Sequence, residues 1–147
     1  VVDNPVNHNA LLAHYERAIM PAIASVSVSD GTNPHVFTPR GVDNSGLATL
    51  VKSSGVPIAD ERLTVQRSRT ANGREKATFK FVIPTVVTET VNGVSRPSVQ
   101  RTAYVDISFA FDGTSSEAER NVARQLVYYL MATDMAIGVI DDLEYVF

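Results

Sequence analysis

The chain has 147 residues, enough for one domain, and its 44% hydrophobic content lies well above the disordered range. The net charge of −3 argues by itself against a nucleic-acid binder, and the absence of cysteine excludes disulfides and thiolate chemistry. No apolar run approaches the roughly 18 residues of a membrane span, and Val1-Val2-Asp3-Asn4-Pro5 lacks the basic start and apolar core of a signal peptide.

Residues 1–20 read as an N-terminal extension. Pro5 suits the first position of a helix, Leu11, Leu12, Tyr15 and Ile19 fall at helical spacing, and Pro21 stops the segment. A hairpin is expected over 22–38, where Ala24, Val26 and Val28 alternate with serines and Asp30-Gly31-Thr32-Asn33 supplies the turn. Pro39-Arg40-Gly41 and Asp43-Asn44-Ser45-Gly46 read as an irregular connection, followed by a short strand at 47–52 and a Ser53-Ser54-Gly55 loop.

The stretch from Glu61 to Phe111 organises the rest, because one parity rule runs through its three strands. Leu63, Val65, Ala77, Phe79, Phe81, Ile83, Ala103, Val105, Ile107, Phe109 and Phe111 occupy odd positions. Arg62, Thr64, Gln66, Ser68, Lys76, Thr78, Lys80, Thr102, Tyr104, Asp106 and Ser108 occupy even ones. Side chains alternate sides along a strand, so one face of this sheet is apolar and the other carries hydroxyls, an amide, lysines and a tyrosine. Asn72-Gly73 marks the first turn, since both residues tolerate positive φ. After Pro84 the second strand continues through Val86 and Thr88, and Val91-Asn92-Gly93-Val94 begins a longer polar loop that closes near Arg96-Pro97 and projects from the sheet.

Beyond Asp112-Gly113 the period changes from 2 to 3.6. Two helices are expected over 115–143. Ser116 and Glu119 stand at capping-box spacing, and Thr133 or Asp134 caps the second helix. Val122, Ala123, Leu126, Val127 and Leu130 form one apolar stripe; Met135, Val139, Ile140 and Leu143 form the other. Charge follows this division. Residues 61–101 hold eight basic side chains against three acids, a net of +5, whereas 112–147 hold two against seven, a net of −5. A sheet apolar on one face needs a cover, and two short helices with an extension supply little. Each exposed Phe, Ile or Val forfeits about 1.5–3 kcal/mol. Open sheet edges also invite pairing with another chain. An obligate homodimer follows, with the helices of one chain over the partner's sheet.

The chemistry-bearing residues give no catalytic constellation. His8, His14 and His35 have no partners at metal-ligand spacing and read as exposed or packing histidines. No nucleophile elbow or phosphate loop occurs, and Asp141, Asp142 and Glu144 lack the alternation of a calcium loop. The chain is read as no enzyme, with no catalytic or metal site and no cofactor. The polar sheet face offers more: Arg62, Lys76 and Lys80 suit phosphates, and Tyr104 suits stacking on an unpaired base. Thr64, Gln66, Thr78 and Asp106 suit base edges and ribose hydroxyls. On pattern alone this face is either an RNA interface or an ordinary wet sheet surface, since Thr and Lys are favoured there in any case.

Eight short motifs in fixed order now matter together: Thr38-Pro39-Arg40-Gly41-Val42, Gly55-Val56-Pro57-Ile58, Glu61-Arg62-Leu63-Thr64-Val65, Thr70-Ala71-Asn72-Gly73-Arg74, Lys80-Phe81-Val82-Ile83-Pro84, Thr90-Val91-Asn92-Gly93-Val94, Arg101-Thr102-Ala103-Tyr104-Val105-Asp106 and Ser116-Glu117-Ala118-Glu119-Arg120. In order and spacing they resemble the coat proteins of the small single-stranded RNA phages, the leviviruses and alloleviviruses, from about Phe37 to the C-terminus.

The resemblance implies an α+β fold: an N-terminal hairpin, a five-stranded antiparallel sheet over 46–111, and two C-terminal helices interlocking in a homodimer. It implies a single coat domain whose dimers build an icosahedral shell around genomic RNA in the virion. Assembly would take place in the bacterial host cytoplasm, and the dimer would bind an RNA hairpin to repress replicase translation.

Carried over by position, Thr64, Gln66, Thr78 and Lys80 resemble a pocket for an unpaired adenine, with Leu47 as a nearby apolar position. Tyr104 resembles a base-stacking residue and Asp106 a polar reader; Arg62 and Lys76 would meet phosphates, and Ser68 stands where several members have arginine. Residues Glu89 to Pro97 resemble the loop that gathers at the capsid axes. Gln66 departs from the serine common there, the cysteines that staple some axis loops are missing, and residues 1–20 have no counterpart in the best-known members. A non-viral, sheet-forming interaction module without nucleic acid is the alternative.

Overall fold

The computed structural model describes residues 23–146, so the helix expected over 1–20, with His8 and His14, lies outside the described residues. Its strands are β1 (Val26–Ser29), β2 (Pro34–Val42), β3 (Leu47–Lys52), β4 (Glu61–Arg69), β5 (Glu75–Val91) and β6 (Val94–Phe111). Two helices follow, α1 (Glu117–Met131) and α2 (Asp134–Ile140). The strands hydrogen-bond in sequence order as one six-stranded sheet. No connection reaches the dozen residues or so that a parallel crossover needs, so the sheet is antiparallel.

The expected N-terminal hairpin, antiparallel sheet and two C-terminal helices are all present, but the hairpin is continuous with the sheet, which has six strands rather than five. β2 does not stop at Thr38. Its first half pairs with β1, through Val26↔Phe37 and Val28↔His35, and its second half pairs with β3, through Thr38↔Val51 and Val42↔Ala48. The segment Pro39-Arg40-Gly41, read as irregular, is strand with a register shift between Pro39 and Gly41. A bulge absorbs the extra residue and lets a Pro- and Gly-containing segment stay in the ladder.

The segment 89–97 is corrected too. β5 runs to Val91 and β6 begins at Val94, leaving Asn92 and Gly93 as the whole connection. Their φ angles of 52° and 79° are the left-handed pair that a tight two-residue hairpin turn requires. β5 and β6 outrun the nine-residue β4. Their distal halves therefore form a two-stranded ribbon, on whose open edges Pro84 and Pro97 are tolerated. Thr90 and Ser95 hydroxyls meet across it at 3.3 Å.

Packing divides the chain into two compact units. One holds the described residues up to Gln66 with Phe79–Asp106, and the other holds Arg67–Thr78 with the described residues from Ile107 onward. In the first, Phe37, Leu50 and Leu63 are buried, with Ala48, Val65 and Phe81 packed around them. Leu50 faces Leu63 and Ala48 faces Val65 in the β3–β4 register. The Phe37 and Phe81 rings meet edge to face, centroids 5.7 Å apart.

In the second unit, the Ser116 hydroxyl accepts from the Glu119 amide while the Glu119 carboxylate accepts from the Ser116 amide, the reciprocal cap that starts α1. Thr133 caps α2 by accepting from the Ala136 amide. The expected buried stripes are not buried in the single chain. Ala123 and Val127 are half-buried, but Val122, Leu126 and Leu130 are exposed, and on the second stripe Met135, Val139, Ile140 and Leu143 are exposed while Ala136 is buried. Among the described residues these faces have no full cover.

The sheet's apolar side ends in a charged cluster that sequence spacing did not suggest. His35 Nδ1 lies 2.5 Å from Glu61 Oε2, and His35 Nε2 lies 3.1 Å from Asp30 Oδ2. Lys52 Nζ donates to Glu61 Oε1 at 2.8 Å. With both ring nitrogens facing carboxylates, the imidazolium is favoured. The hydrogen bond to Glu61, then that to Asp30, raises the His35 pKa above its usual 6.5. Nδ1 then donates to Glu61, so the 3.0 Å approach of Lys52 Nζ to it is cation beside cation rather than a hydrogen bond. Burial pushes Glu61 up, but hydrogen bonds from Lys52 and His35 outweigh it and leave the carboxyl below its usual range. The Asn33 and Thr32 amides, then His35, hold Asp30 at about 2.

A raised histidine pKa stabilises the fold fully below the unfolded value of 6.5, and that contribution fades as pH rises through the folded value. The depressed carboxylates contribute above their unfolded values and lose that contribution as pH falls, for Asp30 toward about 2. Thermal melts from pH 6.5 upward are therefore expected to show falling stability that His35→Gln flattens. A wild-type melting temperature constant across that range would refute the coupling.

Candidate nucleic-acid interface

The β3–β4 register decides which side chains share the polar face. Leu47 pairs with Gln66, Thr49 with Thr64, and Val51 with Arg62. Even positions of β4 therefore stand beside odd positions of β3, which places Leu47 with Thr64 and Gln66. Thr49 belongs to this face as well. The parity rule for β4 to β6 did not extend to β3, and only the register exposes it.

The first unit holds Leu47, Arg62, Thr64, Gln66, Lys80, Tyr104 and Asp106. Thr64 and Gln66 are half-buried and Arg62 is exposed. Tyr104 is 72% exposed, an unusual position for an aromatic ring inside a long strand. Two residues on, Asp106 Oδ1 accepts from Lys80 Nζ at 3.1 Å, both side chains lying in solvent. This pair brings together two of the expected contacts, and it partly neutralises a lysine expected to meet phosphate.

The second unit carries Ser68 and Lys76, both exposed, and Thr78, half-buried. Glu75 draws Arg67 to 3.1 Å and Arg69 to 3.5 Å. Among the described residues no carboxylate lies within ion-pair distance of Arg62 or Lys76. Residues Glu89 to Pro97 sit apart from all these, at the tip of the β5–β6 ribbon.

One neighbour of the face was not anticipated. The β2–β3 turn, Asp43 to Gly46, is built on the Asp43 carboxylate. Its Oδ1 accepts from the Ser45 amide at 2.8 Å, the Ser45 hydroxyl at 2.6 Å and the Leu47 amide at 2.9 Å. The Ser45 hydroxyl, followed by the Leu47 and Ser45 amides, holds the Asp43 carboxyl below its usual range. Gln66 Nε2 in turn donates to Ser45 Oγ at 3.4 Å. An Asp-x-Ser-Gly turn is a visible sequence signal, but its reach across to Gln66 depends on the register.

Comparison with known proteins bears on what this face belongs to. The capsid protein of Pseudomonas phage PRR1 is 47% identical over 90 residues, covering 60% of this chain and 67% of that protein. The capsid protein of Escherichia virus Qbeta is 35% identical over 116 residues, 78% of this chain and 87% of that one. The solved virus-like particle of Beihai levi-like virus 21 superposes with a TM-score of 0.76 at 26% identity, covering 86% of this chain and 99% of that one. The α+β fold of six antiparallel strands and two C-terminal helices is thus that of RNA phage coat proteins, and these relatives are capsid proteins rather than enzymes. The family model described as Levivirus coat protein matches residues 21–147, and the chain belongs to that family.

Proposed function

We propose that this coat protein assembles through homodimers into an icosahedral shell, packages single-stranded genomic RNA against the polar sheet face, and binds an RNA hairpin to repress replicase translation. The observation that carries the RNA reading is Tyr104, a ring left 72% exposed on a strand, with Lys80 and Asp106 paired nearby. A solvent-facing ring flanked by a cation and hydrogen-bonding groups suits an unpaired base. Arg62 and Lys76 are assigned to phosphates; by family resemblance Thr64, Gln66 and Lys80 of the first unit, with Leu47 nearby, and Thr78 of the second are assigned to an unpaired adenine, and Ser68 to the same RNA.

Three features support the dimer. β6 is an 18-residue edge strand with an open side. The first unit's apolar face has a groove of about 270 Å³ lined by Val28, His35, Phe37, Phe81, Ile83 and Val105. In the second unit α1 leaves Leu126 and Tyr129 in solvent. A partner's helix over the groove would cover both apolar surfaces. The ribbon tip from Glu89 to Pro97 is assigned to contacts around the shell axes. Without cysteine, those contacts are indifferent to reductant.

The chain expressed alone in bacteria is expected to give particles whose absorbance at 260 nm exceeds that at 280 nm. Soluble dimers under all salt conditions would count against shell assembly. Tyr104→Ala and Lys80→Ala are each expected to weaken hairpin binding by about 1–3 kcal/mol. Unchanged affinity in a filter-binding titration would remove them from the site.

A further inference from the structure

We infer that the Asp43–Ser45 turn sets the hydrogen-bonding polarity of Gln66, and so makes Ser45 and Asp43 positioning residues for base selection. This rests on the RNA reading above.

The Ser45 hydroxyl has one proton, and the Asp43 carboxylate takes it at 2.6 Å. Toward any other neighbour Ser45 Oγ is therefore an acceptor. The Gln66 amide has an NH₂ end and a carbonyl end, and only the NH₂ end makes a favourable contact with an acceptor. The 3.4 Å bond from Nε2 to Ser45 Oγ is the result. Gln66 Oε1 is left facing away from the turn, beside the remaining Nε2 proton.

The turn is fixed well enough to impose this choice. Besides the three bonds to Asp43 Oδ1, the Gly46 amide donates to the Asp43 carbonyl and the Asp43 amide to the Leu47 carbonyl, each at 3.0 Å. Leu47 is also the register partner of Gln66. The turn and the amide are thus joined through the ladder as well as through the side chains.

An amide presenting its carbonyl beside one N–H matches a base edge that offers an exocyclic amine beside a ring acceptor. Adenine N6 and N7 have that pattern, whereas a 6-oxo purine offers two acceptors and opposes a carbonyl with a carbonyl. Without Ser45, Gln66 can rotate its amide and serve either edge. The free amide is an adaptable reader; the turn makes it a selective one.

The test uses the full-length coat protein and a stem–loop RNA pool with one bulged purine, made once with adenosine and once with inosine there. Inosine exchanges the amine for a carbonyl and keeps N7. Wild type is expected to bind the adenosine pool about tenfold more tightly, Ser45→Ala to shrink that ratio to about twofold, and Ser45→Thr to keep it. The ratio is the readout because a general loss of structure would weaken both pools together. A Ser45→Ala ratio equal to wild type overturns the positioning role. If wild type binds both pools alike while Tyr104→Ala weakens both, the RNA site stands and the polarity inference falls. If Tyr104→Ala changes neither pool, the RNA reading itself fails.

Discussion

Phe37→Ala is expected to lower the unfolding free energy by about 3–5 kcal/mol. Phe37 is 2% exposed and is the largest fully buried side chain among the described residues. Its immediate core is small: Leu50 and Leu63 are the other members, with Phe81 set edge to face against the ring at 5.7 Å. The loss therefore combines the buried ring area with an aromatic pair worth about 0.5–1.5 kcal/mol beyond that area. The neighbours cannot close the hole, because each is carried on a strand whose position the ladder fixes. Against a total of about 5–15 kcal/mol this is a large share. Phe37→Leu keeps the apolar character and most of the volume and is expected to cost less than about 1.5 kcal/mol. Urea unfolding at fixed protein concentration reads both: a lower midpoint with an unchanged slope is the expected form. A Phe37→Ala midpoint matching wild type would mean that this cluster is not where the first unit is held together.

That core was legible in the sequence as far as the period-2 alternation carries. Leu63, Val65, Phe81 and Ile83 follow the parity rule, and an apolar face follows from it without a structure. Phe37, Leu50 and Ala48 were harder. They lie on strands whose parity relative to β4 depends on a bulge between Pro39 and Gly41 and on the β3–β4 register, and neither is fixed by local pattern. The same register hid Thr49 and the reach of Gln66 to Ser45.

The tip at Asn92-Gly93 shows the opposite error. Its polar flanks from Glu89 to Pro97 suggest a loop, but two positive-φ residues close the chain so tightly that the flanks remain strand. The ion cluster of Asp30, His35, Lys52 and Glu61 was not legible at all, since its members come from a turn and three strands. The candidate RNA-binding residues divide similarly. Alternation and family resemblance single out Tyr104, Lys80 and Asp106 as expected contacts, but that Lys80 pairs with Asp106 is a fact of geometry.

The helices show where a correct pattern led to an incomplete expectation, and they set up the second large effect. Leu126→Asp is expected to abolish particle assembly. Val122, Leu126 and Tyr129 lie at spacings of four and three on α1 and share one face. In the single chain they are 58%, 67% and 65% exposed. The 3.6 period is that of a helix, and among the described residues the surface that would bury this face is missing.

If this face were ordinary solvent surface, the aspartate would cost only its helix propensity, up to about 0.7 kcal/mol, and particles would form. In the proposed dimer it would lose about 1.5–3 kcal/mol of leucine burial on each chain. It would also place a carboxylate in an apolar contact, at a further cost of several kcal/mol unless it protonates. Because a two-fold interface repeats every substitution, both penalties count twice per dimer. Sedimentation and electron microscopy separate the cases, with Leu126→Met as the control that keeps an apolar side chain and assembles. Particles of normal size from Leu126→Asp would show that this face of α1 lies outside the dimer contact, and the cover over the sheet's apolar groove would then have to come from elsewhere.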